Sequence, residues 1–176
     1  RVFLCHFGAI CFLANPLMQL ISELKPTIMN LNNFTIKSQE AIQKAFEIAQ
    51  GFNHQAIEPT HILKGVLEQT ENITGYLLRK LGVNPSTFDA VLDRMLESYP
   101  KVSGGEPYLS STSSKVLQKA MEFSKGMGDQ FVSIEHILLG LITAGEQVGQ
   151  MMKDSGMTEK EMKLAIAELR KGAKVD

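Results

Sequence analysis

A chain of 176 residues with 44% apolar and 21% charged residues suits one globular domain, or two small ones fused, with a core large enough to need no staples. A formal net charge of −1 excludes a general attraction to nucleic acid or anionic lipid. Both cysteines, Cys5 and Cys11, stand near the start, so residues 29–176 are left without disulfides, thiol catalysis or Cys-based zinc, which fits a reducing, cytoplasmic setting.

Residues 1–28 differ in character from the rest. Val2–Ala14 is an apolar run, interrupted by His6 and Gly8, that is too short for a comfortable membrane span. With Arg1 in front it superficially matches a secretory signal, but Ala14-Asn15-Pro16 makes a poor cleavage region. Met29 directly precedes the first clear helix signal, and is read as the natural start, with 1–28 an upstream leader outside the native domain.

Thr35 opens the first helix as N-cap, its hydroxyl placed to accept from the Ser38 amide. Ala41, Ile42, Ala45, Ile48, Ala49 and Phe52 then form an apolar stripe at helical spacing. Pro59 sits in the first turn of helix two, where its missing amide costs nothing, and Ile62, Leu63, Val66 and Leu67 form the buried face. Helix three spans 73–81 and stops at Gly82; Asn84-Pro85 caps and opens helix four. Tyr99–Ser114, rich in Pro, Gly, Ser and Thr, reads as a linker.

Helix five spans 114–127, Ser133 caps helix six, and helix seven covers 147–154 and ends at Gly156. Thr158 with Glu161 forms a capping box for helix eight, which ends near Gly172. No segment alternates with period two for long enough to be a strand, so the expectation is an all-α protein of eight helices. Gln43–Leu67 returns 75 positions later as Gln118–Ile142, sharing Gln-Lys-Ala, a Glu, a Gly, a Gln, His-Ile-Leu and a final Gly. The chain therefore divides into 1–28, a first repeat at 29–98, a linker at 99–113 and a second repeat at 114–176 that includes the start of a further linker.

Catalysis has little to stand on. No phosphate-binding G-x-x-x-x-G-K-[ST] is present, and Gly126 and Gly128 lie between helices rather than after a strand. The serines concentrate in the linker, away from any histidine held by an acid. His61 and His136 occupy equivalent repeat positions, which points to a structural task done twice: an imidazole in a first helical turn satisfying a nearby backbone group. Neither has the further ligands that a metal needs. Asp129 and Glu135 bracket the loop before helix six, whereas their first-repeat counterparts are His54 and Thr60. Such a departure at a loop is where a duplicated scaffold would specialise. The plain alternative is a solvated loop acid plus an acid favourably placed at a helix N-terminus.

FTIKSQEAIQKAFEIAQ, the I-E-P-T-H-I-L of Ile57–Leu63, the G-D-Q-F-V-S-I-E-H of Gly128–His136 and the closing E-L-R-K-G together resemble the Clp repeat, the N-terminal domain of Clp-type AAA+ chaperones. The resemblance covers Phe34–Val175, and F-T-x-K-x-Q with G-D-x-F before a Glu is closer to the ClpB disaggregase group than to ClpA or ClpC. It implies an all-α, pseudo-two-fold pair of four-helix repeats that is no enzyme in itself. The implied role is binding unfolded or aggregated polypeptide for delivery to an AAA+ ring, with adaptor docking for a ClpA- or ClpC-like protease unfoldase as the alternative. Thr35, Asp129 and Glu135 are the substrate-binding positions it implies, with no catalytic or metal residue. Cofactors are expected only downstream, as ATP and magnesium in a hexamer of AAA+ modules of the same chain. An adaptor protein is a further implied partner, and nucleic acid and membrane are not. Replacing Thr35 or Asp129 is expected to weaken binding with little change in melting.

Overall fold

The computed structural model describes residues 31–69, 73–102 and 104–176; the 1–28 leader lies outside the described residues. Helices α1 (Ile36–Gly51), α2 (Pro59–Leu67), α3 (Ile73–Lys80) and α4 (Pro85–Glu97) make the first half. Helices α5 (Ser111–Met127), α6 (Ile134–Ala144), α7 (Gln147–Asp154) and α8 (Glu159–Arg170) make the second. The helix starts follow the sequence signals. Thr35 accepts from the Ser38 amide at 3.2 Å, Asn84 from the amides of Ser86 and Thr87, and Thr158 from that of Glu161. Helix α5 begins earlier than the linker composition suggests, because Ser110 caps it by accepting from Ser113 and the serines after it are helical. A serine run reads equally well as spacer or as capped first turn, and only the capping bond decides.

Each half is built on a close helix pair, α1 on α2 and α5 on α6. The approach is set by Gly65 and Gly140, the final glycine of each repeated motif. A Cβ on Gly65 would collide with the Ala41 carbonyl oxygen, and one on Gly140 with that of Val116. Ala41, Ala45, Ala120 and Ser113 are fully buried along the same contacts. The two pairs then meet: α2 packs on α5 and α6, and α1 on α6, giving one continuous core through both halves. Lys64 on α2 reaches Asp89 and Asp93 on α4 at 2.7 and 2.8 Å, and Lys80 on α3 pairs with Glu168 on α8.

Two short parallel pairings, which the sequence did not announce, lock the halves together. Strand β1 (Ala56–Ile57) pairs with β2 (Tyr108–Leu109), and Phe34 bridges Val132. Ile57 and Val132 are repeat equivalents, and so are Phe34 and Leu109. Each half thus lays the residues before its first helix on the loop before the other half's second helix. Strands of two residues are too short to alternate, so no periodic pattern marks them.

Candidate functional site

The loop between α5 and α6 starts where Gly128 caps α5 in the left-handed conformation (φ 71°), closed by its amide on the α5 carbonyls. A Cβ there would press on the Lys174 Nζ. The Asp129 amide bonds the Ser124 carbonyl at 2.9 Å, which turns the carboxylate inward. Val132 is then fixed against the start of α1, donating to Asn33 at 2.7 Å and accepting from Thr35 at 3.0 Å. Ser133 caps α6 and Glu135 lies in its first turn. The loop that Asp129 and Glu135 bracket is thus joined to the Thr35 cap through Val132, the residue by which the second half touches the start of α1.

Asp129 does not face solvent. Its side chain is 1% exposed and that of Glu135 8%. Both are tied to Arg170, the last residue of α8, which sequence reasoning had not singled out. Arg170 Nη1 donates to Asp129 Oδ2 at 2.5 Å, Nε to Glu135 Oε1 at 3.2 Å and Nη2 to Ser133 Oγ at 3.0 Å. His136 Nδ1 accepts from the Ser133 amide at 2.9 Å, which leaves the neutral ring's proton on Nε2, 2.9 Å from Asp129 Oδ2. The other carboxylate oxygen accepts from the Val175 amide at 3.0 Å. Burial alone would raise the Asp129 carboxyl, but the Val175 amide and the Arg170 guanidinium outweigh it and hold the group below the usual carboxylate range. The His136 ring is pushed down by burial and by Arg170, against the pull of Asp129 and Glu135.

The first half holds the neutral version of the same arrangement. His61 Nδ1 accepts from the Glu58 amide at 2.9 Å, as expected for a histidine in that turn, and its Nε2 faces His54 Nδ1 at 2.9 Å. Thr60, the counterpart of Glu135, shares a hydrogen bond of 2.6 Å with the Tyr99 hydroxyl. Thus the second half alone carries a buried ionic cluster where the first has imidazoles and hydroxyls.

This geometry corrects two expectations. Asp129 is not a solvated loop acid, since Arg170, His136 and Val175 cover its carboxylate. Its replacement is also expected to lower the melting temperature, since Asp129→Ala strips a buried guanidinium of its shortest partner, a change of about 3–5 kcal/mol in comparable buried pairs. The clue to Arg170 was present in the closing E-L-R-K-G, but nothing local says what an arginine at a helix end will reach. Thr35 keeps its hydroxyl on α1, at 2.9 Å from Ser38 Oγ besides the amide.

Among the described residues no group of three or more His, Cys, Asp or Glu could hold a metal ion, and no helix is long and apolar enough to cross a membrane. Residues 33–155 match the family model of the Clp repeat (R) N-terminal domain. The chain is 58% identical over 147 residues to the Chaperone protein ClpB of Bacteroides thetaiotaomicron, and 46% identical over 147 residues to that of Porphyromonas gingivalis. Each match covers 84% of this chain and 17% of the relative, so the chain spans under a fifth of the length of either. Among solved structures it resembles the Hsp104 N-terminal domain from Candida albicans, with a TM-score of 0.73, 24% identity, and 82% of this chain and 95% of that one covered. A complex of the ClpV N-domain with a VipB peptide shares the fold at a TM-score of 0.65 and 15% identity, covering 85% of this chain and 96% of that one. With its doubled four-helix frame and a family match that runs through both halves, the chain belongs to the Clp repeat N-terminal domain family.

Proposed function

We propose that this domain binds unfolded or aggregated polypeptide and delivers it to a ring of AAA+ modules in the longer protein, as the N-terminal domain of a disaggregase chaperone. Its work is recognition without a reaction of its own; ATP hydrolysis belongs to the modules of the ring, a hexamer. The observation that carries the reading is the 58% identity to a protein named Chaperone protein ClpB, and beside it stands the loop from Asp129 to Glu135, whose Val132 holds the Thr35 amide. The cysteine-free body from residue 29 onward supports work in the reducing cytoplasm.

With Val175 in place, the three residues hold the surface in shape. Thr35 fixes the start of α1, where Ile36 is 74% exposed. Asp129 and Glu135, through Arg170, fix the loop that carries the half-buried Phe131. Apolar groups such as Ile36 and Phe131, held on a fixed helix start and loop, suit partners that share exposed apolar segments but no sequence. The ClpV N-domain in complex with a VipB peptide supports the idea that this fold can seat a peptide.

The test is fluorescence anisotropy with labelled casein, which lacks a fixed fold, against labelled folded lysozyme. The chain is expected to bind casein weakly and lysozyme not at all. Thr35→Ala should weaken casein binding while costing about 1 kcal/mol of stability, the usual worth of an N-cap. Equal binding to lysozyme sinks the polypeptide reading, and parent-like binding by both Thr35→Ala and Glu135→Gln sinks the site.

A further inference from the structure

The segment after α8 turns back onto the loop that Asp129 opens, and one of its residues is hydrogen-bonded at both its amide and its carbonyl. The Val175 amide donates to Asp129 Oδ1 at 3.0 Å, and its carbonyl accepts from the amides of Gln130 at 3.0 Å and Phe131 at 3.4 Å. A carboxylate on one side and two adjacent amides on the other grip a residue's N–H and C=O together. Such a grip recognises backbone and is indifferent to the side chain, as in strand addition to an exposed edge. Val175 is half-buried, while Ala173, Lys174 and Asp176 around it are exposed.

The acceptor half of this pincer does not depend on Val175. Asp129 is oriented by Arg170 and His136 through its other oxygen and by its own amide on Ser124, all within the folded body. When Val175 leaves, the carboxylate stays where it is, and the Gln130 and Phe131 amides are left needing an acceptor. Beyond the grip, Lys174 adds a bond of 2.8 Å from its ammonium to the Met127 carbonyl.

We propose that Asp129 Oδ1 and the Gln130 and Phe131 amides form a sequence-independent seat for one residue of an extended polypeptide, filled at rest by Val175, so that the 173–176 segment competes with unfolded substrate. The inference rests on the polypeptide-binding reading above and names the chemistry it would use. Any residue other than proline offers the same N–H and C=O, which is what a binder of unrelated sequences requires. A short tether keeps Val175 at high effective concentration over the seat, so apparent affinity for substrate falls by the fraction of time the seat is empty. Withdrawal of the segment, as by a pull on the chain that follows it, opens the seat.

The test uses the whole chain with Val175→Pro, which lacks the amide that Asp129 accepts, and Val175→Ala, which keeps both backbone groups. Labelled casein should bind Val175→Pro about three- to tenfold more tightly than the parent, and Val175→Ala like the parent. Amide hydrogen exchange supplies a second measure: at Gln130 and Phe131 it should quicken in Val175→Pro and slow again when casein is added. Unchanged casein affinity in a folded Val175→Pro whose two amides have become exposed overturns the seat. It leaves the polypeptide-binding reading intact if the parent still binds. Amides that stay protected in Val175→Pro overturn the seat as well, since Val175 would not be what covers them. Absence of casein binding in parent and variant alike removes the broader reading and the seat with it.

Discussion

His61 and His136 make the same bond to the backbone three residues before them, and face opposite chemistry with their other nitrogen. His61 looks at His54, and His136 at a carboxylate. Burial first, and then the nearby His54, leave the His61 ring depressed to about 4. His54 is lowered by burial and by Lys101, and stacks between Phe52 and the edge of Tyr99. A base whose folded pKa lies below its ordinary 6.5 is neutral in both states at pH 7.5, and acid then favours the unfolded chain, which takes up the proton first. Stability should therefore be complete above pH 6.5 and fall as pH drops toward 4, with roughly 3 kcal/mol traceable to His61 alone. Asp129, held below its ordinary 3.8, adds its loss only at lower pH, so the two windows separate. Urea denaturation between pH 7.5 and 4.5 checks this, and a His54→Phe, His61→Phe double variant should flatten the curve. A slope that survives the double variant would trace the effect to other groups, His136 first.

At the scale of elements, the repeated His-Ile-Leu-x-Gly motif has a mechanical meaning. The histidine satisfies the backbone at the helix start, the isoleucine and leucine fill the core, and the glycine lets the helix behind it come into backbone contact. Gly65 stands against the Ala41 carbonyl and Gly140 against that of Val116, at repeat-equivalent points. Alanine has the better helix propensity by about 1 kcal/mol, so a solvent-facing glycine would gain from the change. Here the added methyl meets main chain, which cannot rotate away, and the overpacking cost of about 1–3 kcal/mol should win. Gly140→Ala is expected to lower the urea midpoint without altering the m-value, and a raised midpoint would show that the helix pair can open cheaply. Helices and caps were legible because their signals are local: Thr35 and Asn84 perform as their spacing says, and Thr158 accepts from the Glu161 amide without the return bond of a full capping box. Strands β1 and β2 were not, because each consists of two residues whose partner lies in the other half.

For the whole molecule, the exchange of edges is decisive. Phe34 is paired to Val132 and Leu109 to Ile57, so each half is finished only by the other. The shared core says the same, with α2 lying on both α5 and α6. Residues 1–98 and 99–176 made as separate chains should each lose cooperative thermal melting, and mixing them should restore part of the helical signal. A half that melts cooperatively near the parent's temperature would mean that the repeats are independent units and the bridges incidental.

The amino-acid sequence determined the helices, their caps, the duplication and the family, because periodicity, capping and repetition are written over neighbouring positions. It also pointed to the loop from Gly128 to Glu135 as the place where the halves diverge. What tertiary structure alone decided is what that divergence is for. A carboxylate 41 residues from its partner reads as a solvated acid until α8 brings Arg170 beside it, and an unremarkable valine becomes a bound segment only once the chain folds back. Contacts between residues remote in sequence depend on how the helices pack against one another, and no local pattern encodes that packing.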